Sequence, residues 1–305
     1  MVKLKIIGVC GAGCNAISRL KKSKIEGAEL IAINTDLQHL SKTLADFKLQ
    51  IGKKITEGLG TGMKPEIGEA AVKEEIEEIK KILNNTDIVF LVFGGGGGTG
   101  SGATPVIAQV SKEKGILTLV VSIFPFSFEG KSRKLIAREG IRKLRNFVDG
   151  IIVIDNDKLL KALPPNTSLS EAFYFSDLVL KNSVSAILNL LTKHSLINVN
   201  FADIQSILRG AGNILIGIGK GRGEKRVEEA LNSALSFPLL DVSLNRAKNA
   251  LFFLEGEDIS LEELKKVNQI LSEKISKESK IIFGFGKNSD LKEGEISLTL
   301  FLSCF

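Results

Sequence analysis

The chain has 305 residues, 44% of them hydrophobic, and 41 Lys and Arg against 35 Asp and Glu give it a net charge of +6. That length allows about two domains with sizeable cores, and no apolar run approaches the ~20 residues of a helical membrane span. Met1-Val-Lys-Leu-Lys lacks the apolar core and cleavage site of a signal peptide, and Cys10, Cys14 and Cys304 make no disulfide framework, so a soluble cytosolic protein is expected.

Leu4 to Val9 reads as an apolar strand that delivers the chain into Gly11-Ala-Gly13-Cys-Asn15-Ala16 at the start of a helix. The spacing fits the dinucleotide-binding fingerprint, and Asp36, after the strand Leu30 to Asn34, stands where a ribose-binding carboxylate would. A nicotinamide-dependent oxidoreductase is therefore one reading of this segment. Cys10 and Cys14 lie in a tight turn with no histidine pair beside them, so no metal site is expected. After the strand Phe47 to Ile51, Gly58-Leu-Gly60-Thr-Gly62 makes a second glycine loop, and Pro65 suits the first turn of a helix running to about Leu83.

Asp87-Ile-Val-Phe-Leu-Val-Phe-Gly94-Gly-Gly-Gly-Gly-Thr99-Gly100-Ser101-Gly102 organises the rest. Ile88 to Phe93 is a short apolar run of the kind that forms a strand covered on both faces. The glycines after it have no Cβ, so the backbone can bring several N–H groups to one anion. A helix predicted from about Gly102, with Ala103 to Val110 as its apolar part, points its positive end the same way. This is a phosphate cradle without the Gly-Lys-Ser or Gly-Lys-Thr of a Walker A loop. Glycine loops at adjacent strand ends suit a triphosphate better than a single pyrophosphate, and the loop at Gly58 to Gly62 could close over its last phosphate.

Gly96 to Gly102, Gly-Gly-Gly-Thr-Gly-Ser-Gly, resembles the tubulin signature loop, and its setting from Lys5 to about Ser297 resembles the FtsZ family of bacterial and archaeal division GTPases. The resemblance implies an α/β fold: a Rossmann-like parallel-sheet GTPase domain at 1–167, a long central helix and inter-subunit loop at 168–200, and a smaller α/β C-terminal domain for polymer contacts at 201–305. It implies GTP and GDP as ligands, with a hydrated Mg²⁺ on the phosphates. Gly11, Ala12, Gly13, Gly60, Gly98, Thr99 and Gly100 would bind the phosphates, and the loop around Gly60 would sense the last one.

Ile116 to Ile123 is a further buried strand, followed by Phe124-Pro-Phe-Ser-Phe128-Glu129-Gly-Lys-Ser-Arg133. Glu129 and Arg133, four apart at a helix start, can face one ligand or form a plain surface ion pair; the resemblance puts Glu129 on the ribose and Arg133 on the nucleotide. Gly150 to Ile154 adds the last strand of this half, and the alternation of strands and helices calls for a parallel sheet. Lys131, Arg133, Lys134, Arg138, Arg142, Lys143 and Arg145 make one helix basic. No aromatics are interleaved to stack on bases, so the segment reads as a solvated face and no nucleic-acid partner is expected.

Ser168-Leu-Ser-Glu171 is a capping box opening a helix to about Leu191, the longest in the chain. Val179, Val184, Ile187, Leu188 and Leu191 give it the broad apolar surface of a helix held between two domains. Phe173 and Asp177 sit four apart near its start. Taken alone, Phe173 reads as core; in the family an aromatic here stacks on the base and a carboxylate or amide reads it. A carboxylate can accept from the N1–H and 2-amino group of guanine, a donor pair that adenine lacks. Asn15 and Asn34 are the further base and sugar contacts the resemblance implies.

Asn198-Val-Asn200-Phe-Ala-Asp203 resembles the loop that one subunit inserts into its neighbour's nucleotide pocket, where the usual pattern is Asn, any, Asp, Phe, Ala, Asp. Asn198, Asn200 and Asp203 are the catalytic candidates. A carboxylate can deprotonate a water and an amide can only orient it, so Asn200 predicts slow hydrolysis and admits a second reading, a scaffold that holds GTP without hydrolysing it. Strands Asn213 to Ile218, Ala250 to Leu254, Lys280 to Phe285 and Glu295 to Leu302, with helices Glu224 to Leu235 and Leu261 to Lys277, make the second domain. Gly217-Ile-Gly219-Lys-Gly221-Arg-Gly223 reads as a hairpin or mobile turn. The chain ends almost where its last strand does, without the terminal peptide through which many relatives bind membrane tethers. The expectation is a cytoplasmic, division-site protein that polymerises head to tail with itself, or with a second FtsZ-type protein.

Overall fold

Apolar runs of six to eight residues become strands and the glycine turns after them become helix starts in the computed structural model, which describes residues 2–161, 163–192, 201–240, 247–276, 278–288 and 290–303. In chain order the elements are β1 (Leu4–Val9), α1 (Cys10–Lys22), β2 (Ala28–Asn34), α2 (Leu37–Lys42), β3 (Phe47–Gln50), α3 (Lys53–Thr56), α4 (Pro65–Glu74), α5 (Ile76–Ile82), β4 (Ile88–Gly94), α6 (Gly98–Glu113), β5 (Leu117–Phe124), α7 (Lys131–Leu144), β6 (Gly150–Asp155), α8 (Asn156–Leu160), α9 (Leu169–Thr192), α10 (Phe201–Leu208), β7 (Gly212–Arg222), α11 (Arg226–Leu235), β8 (Asn249–Glu255), α12 (Leu261–Lys274), β9 (Lys280–Gly286) and β10 (Glu295–Ser303). A 3₁₀ turn, Ser127–Glu129, precedes α7. The chain divides into two units, Met1–Asp157 with Ser168–Lys181, and Lys158–Thr167 with Asn182–Phe305.

The first unit is a parallel sheet in the order β3-β2-β1-β4-β5-β6. β1 is its hinge: Leu4 lies opposite both Ala28 of β2 and Ile88 of β4. Chain order therefore reverses between β1 and β4, and the connections leave these two strands on opposite sides, opening a crevice at their carboxyl ends. All six residues from Ile88 to Phe93 are fully buried, as a strand covered on both faces requires. α4, α5, α6 and α7 cover one face through Ala71, Val72, Ile79, Ile107 and Leu144. On the other face, Cys14, Ala32 and Leu40 bring α1 and α2 onto β2.

Two helix boundaries differ from expectation. The single helix from Pro65 to Leu83 is two, broken at Glu75, which leaves helical geometry at φ −108°, ψ 25°. Its carboxylate meets Lys53 at 3.6 Å, and the chain resumes so that Ile79 and Ile82 still join Ala71 and Val72 in the core. More consequential for the site, α6 begins at Gly98 and not near Gly102. The last glycines of the loop are thus the helix's first turn, whose N–H groups have no partner within the helix.

The capping box at α9 forms as read. Ser168 N–H donates to Glu171 Oε2 at 2.8 Å, and Glu171 N–H donates to Ser168 Oγ at 3.2 Å. Val179, Val184, Ile187 and Leu188 are buried, whereas Phe173 is 40% exposed and so is not core; the Leu191 side chain lies outside the described residues.

In the second unit the sheet runs β7-β10-β8-β9, with β10 antiparallel to both neighbours and β8 parallel to β9. The glycine repeat at 217–223 is not a mobile turn. Gly217, Gly219 and Gly221 lie within β7, opposite Leu300, Leu298 and Ile296 of β10, and alternate onto one face. A Cβ on Gly219 would stand 2.5 Å from Ala234 N and closer still to Ala230 O, both in the backbone of α11. The absent side chains let α11 lie directly on the strand, and only Gly223, at φ +76°, serves a turn. No helix among the described residues is long and apolar enough to cross a membrane.

Candidate functional site

A cleft of about 430 Å³ opens at the carboxyl ends of the first unit's strands, within the range of small-ligand pockets. Its middle is the crevice between β1 and β4. After β1 come Cys10, Gly11 and Ala12 at the start of α1, and after β4 come Gly94, Gly95, Gly97, Gly98 and Thr99. Gly97 caps α6 in extended geometry, and Gly98 and Thr99, the helix's first two residues, line the cleft. Ser101 Oγ steadies the turn by accepting from Gly96 N–H at 3.2 Å. Aligned free amides at the positive end of a 16-residue helix bind anions.

One flank is aromatic and carries opposite charges. The ring of Phe126 packs edge-on to Phe173 at 5.1 Å and stacks on Phe128 at 4.9 Å, which fixes Phe173 at the cleft wall. Glu129 Oε1 accepts from Phe126 N–H at 2.9 Å, and Glu129 Oε2 stands 3.6 Å from Arg133 Nη1. The two form an ion pair, and both line the cleft. Asp157 anchors the preceding turn, accepting from Ser127 N–H at 2.8 Å and pairing with Lys134. Burial works to raise its carboxyl, but the hydrogen bonds from Lys134 and Ser127 outweigh it and hold it below the usual range.

The other flank carries hydroxyls. Thr35 Oγ1 lies 2.8 Å from Thr99 Oγ1, and Thr61 Oγ1 lies 3.3 Å from the same atom. Loops after β2, β3 and β4 thus meet at three buried hydroxyls. Beside them Asn34 is 2% exposed, and its Nδ2 has no hydrogen-bond partner among the described residues. A buried amide left unpaired in a cleft wall costs stability unless a ligand satisfies it.

Of the residues singled out from sequence, Gly11, Ala12, Asn34, Gly60, Gly98, Thr99, Glu129, Arg133 and Phe173 line the cleft together. Gly13 and Gly100 do not: a Cβ on Gly13 would lie 2.5 Å from Val92 O, and one on Gly100 2.7 Å from Gly94 O, so both let backbones pack closely beneath the turns. Asn15 is off the wall, within 3.1 Å of His39 Nε2. Asp177 is also off it, with Oδ2 in an ion pair with Arg19 of α1. Asp203 lies in the first turn of α10, and Asn198 and Asn200 lie outside the described residues. Sequence reasoning missed Thr35, Thr61 and Asn156. Asn156, 2% exposed, lines the cleft after β6 and accepts from Ser176 Oγ at 2.6 Å.

Asp36, which the oxidoreductase reading needs for a ribose, caps α2 by accepting from His39 N–H at 2.8 Å. Burial raises the Cys10 thiol against the amides of Gly13, Gly94 and Ala12 and pushes Cys14 up to about 12; no group of His, Cys, Asp or Glu among the described residues could hold a metal ion.

A doubly wound sheet with an anion cradle at its switch point and an aromatic wall beside it defines a nucleotide-binding α/β protein. The chain belongs to the tubulin/FtsZ family: residues 3–164 match the "Tubulin/FtsZ family, GTPase domain" and residues 212–303 the "FtsZ family, C-terminal domain". It is 46% identical over 283 residues to Cell division protein FtsZ 1 of Methanocaldococcus jannaschii, covering 92% of this chain and 78% of that protein. It is 44% identical to Cell division protein FtsZ 1 of Archaeoglobus fulgidus, covering 92% and 76%. The solved structure titled "FtsZ dimer, empty (M. jannaschii)" superposes with a TM-score of 0.95 at 44% identity, covering 99% of this chain and 88% of that one. The resemblance and fold read from the glycine loop are borne out, the first unit carries the family's GTPase domain, and the oxidoreductase reading falls.

Proposed function

We propose that the protein is a division-site GTPase that polymerises head to tail in the cytoplasm and hydrolyses GTP slowly at the subunit contact. The observation that carries this is the first turn of α6, where Gly98 and Thr99 open the helix at a cleft whose wall includes Phe173. The phosphates rest on Gly11, Ala12, Gly60, Gly98 and Thr99, while Gly13 and Gly100 keep their turns tight. Glu129 takes the ribose, Arg133 the nucleotide, Phe173 the face of the base, and Asn15, Asn34 and Asn156 its polar edges. Asp177 reads the guanine N1–H and 2-amino group. Arg19 engages one of its oxygens, and a carboxylate can accept through both.

A hydrated Mg²⁺ would travel with the phosphates. Hydroxyl oxygens at Thr35 and Thr99 suit that hard cation, which needs no all-protein cage, and the ion would neutralise charge on the leaving phosphates. Asn198, Asn200 and Asp203 of one subunit act on the nucleotide of the next, so a pocket is complete only in the polymer, and a head-to-tail contact that does not close makes a filament. Asn200 favours a second reading, a GTP-holding scaffold that co-assembles with another FtsZ-type protein.

The purified protein should release GDP or GTP, identified by mass, and GTP turnover per subunit should rise with protein concentration until assembly saturates. A bound nicotinamide nucleotide, or a concentration-independent turnover, refutes the reading; filaments without turnover select the scaffold.

A further inference from the structure

Two helices carry the cleft's aromatic end onward. On α1, Ala12 lines the cleft; Asn15 and Arg19 follow at three and seven residues, the spacing of one helix face, and all three are exposed. On α9, Phe173 lines the cleft, and Asp177 follows four residues on, again on one face. Beyond the cleft the two faces are joined, because Arg19 Nη1 forms an ion pair with Asp177 Oδ2. Recognition of guanine N1–H and the 2-amino group needs only the carboxylate, so the guanidinium calls for its own account.

The Asp177 side chain is 13% exposed, whereas that of Arg19 is 48% exposed, and Asp177 is its one carboxylate partner among the described residues. A guanidinium carries five N–H donors in a fixed plane and no acceptor, so a single N–H on Asp177 leaves the others for a second acceptor. The pair thus presents a donor beside an acceptor. Guanine carries the complementary order, its O6 acceptor standing next to the N1–H and 2-amino donors. Adenine reverses it: a 6-amino group would set donor against donor, and its N1 would set acceptor against acceptor.

We propose that Arg19 is a specificity-determining residue, donating to guanine O6 while Asp177 accepts from N1–H and the 2-amino group. The inference rests on the guanine-nucleotide reading above and gives the base's acceptor a charged partner. Arginine reads the same atom of guanine in the major groove of DNA. The ion pair is therefore half of the base-reading surface, and the exclusion of 6-amino purines resides in the guanidinium as well as in the carboxylate. A hydrogen bond from a charged donor contributes about tenfold in affinity.

The test is calorimetric titration of the full chain with GDP, IDP and 6-thio-GDP. IDP lacks only the 2-amino group; 6-thio-GDP keeps both donors and replaces O6 by sulfur, a weak acceptor. Arg19→Met keeps the stem and removes the donors, and Arg19→Lys keeps a charged donor. The expected result is that the parent prefers GDP to 6-thio-GDP about tenfold, that Arg19→Met cuts this ratio below about threefold, and that Arg19→Lys recovers part of it. The ratio of GDP to IDP, which reports the 2-amino group, should change less than about twofold in both variants. A sulfur penalty absent from the parent or unchanged in Arg19→Met would mean that O6 is read elsewhere. An equal fall in both ratios would make Arg19 a mere support for Asp177, and tighter GDP binding in Arg19→Met would make it a competitor of the base. Each of these overturns the proposal while leaving guanine binding in place. Should Arg19→Met unfold, Arg19→Ala supplies the same comparison. An unaltered protein that bound ADP as tightly as GDP would overturn this inference and the proposed function together.

Discussion

Replacing Gly219 by Ala tests the packing of β7 against α11. The new Cβ would sit 2.5 Å from Ala234 N and closer to Ala230 O, whereas real Cβ atoms essentially never come within 3.0 Å of such neighbours. Those atoms are helix backbone and cannot swing aside, so α11 must retreat by about 1 Å to bring Ala230 O out to 3.0 Å. Val227, Ala230, Leu231 and Ala234 of α11 belong to the second unit's core, and the retreat loosens all of them. Overpacking of this kind costs about 1–3 kcal/mol, which for a domain of this size lowers the melting temperature by about 5–10 °C. Gly223→Ala, four residues on, is the internal control. It has open space around it but a φ of +76°, so it costs only the ~1 kcal/mol of left-handed strain. Thermal unfolding followed by far-UV circular dichroism should rank Gly219→Ala well below Gly223→Ala. Were the repeat a mobile turn, Gly219→Ala would be neutral, and that outcome would refute the packing argument.

Asp177→Ala should weaken guanine-nucleotide binding by about 1–3 kcal/mol through loss of a charge-assisted acceptor; a titration in which the variant binds GTP as tightly as the parent would take the base-reading role from it. Asn200→Asp should raise GTP turnover about tenfold or more and shorten filament lifetime, and Asp203→Ala should remove what activity remains, both measurable by phosphate release and light scattering. Arg226, 9% exposed, donates to Glu263 Oε1 at 2.6 Å and to Asp258 Oδ1 at 2.8 Å. Burial alone would raise the Glu263 carboxyl, but hydrogen bonds from Arg226 and Ser260 bring it below the usual range. A depressed carboxyl contributes stability that is present above its unfolded pKa, near 4.3, and is lost as pH falls through the lower folded value. The stability gap between the parent and Glu263→Gln should therefore be full at pH 7 and shrink below about pH 4; a gap independent of pH would show that the pair adds nothing through charge.

The amino-acid order by itself determined the local pieces. Ile88 to Phe93 had to be a doubly covered strand, because six apolar residues are too few for a buried helix and are bounded by Asp87 and glycine. Ser168 and Glu171 had to open a helix, because each satisfies the other's free N–H. The glycine turns at Gly11 and Gly94 to Gly98 were legible as candidate anion sites because what they offer is backbone, and backbone geometry is locally encoded. The tertiary structure decided what depends on which strand ends become neighbours. Thr35, Thr61 and Thr99 lie far apart in the chain and meet only because β1 stands between β2 and β4, so no local pattern marks them as one cluster. Asn156 was invisible for the same reason: it follows β6 as one residue of a polar turn, and only the approach of Ser176 aims its amide. Asp177 was legible as an acceptor, but its ion pair with Arg19 came from the packing of α9 on α1. The repeat Gly217 to Gly221 misled because a glycine in a strand looks like flexibility until the helix that needs its missing Cβ is in place.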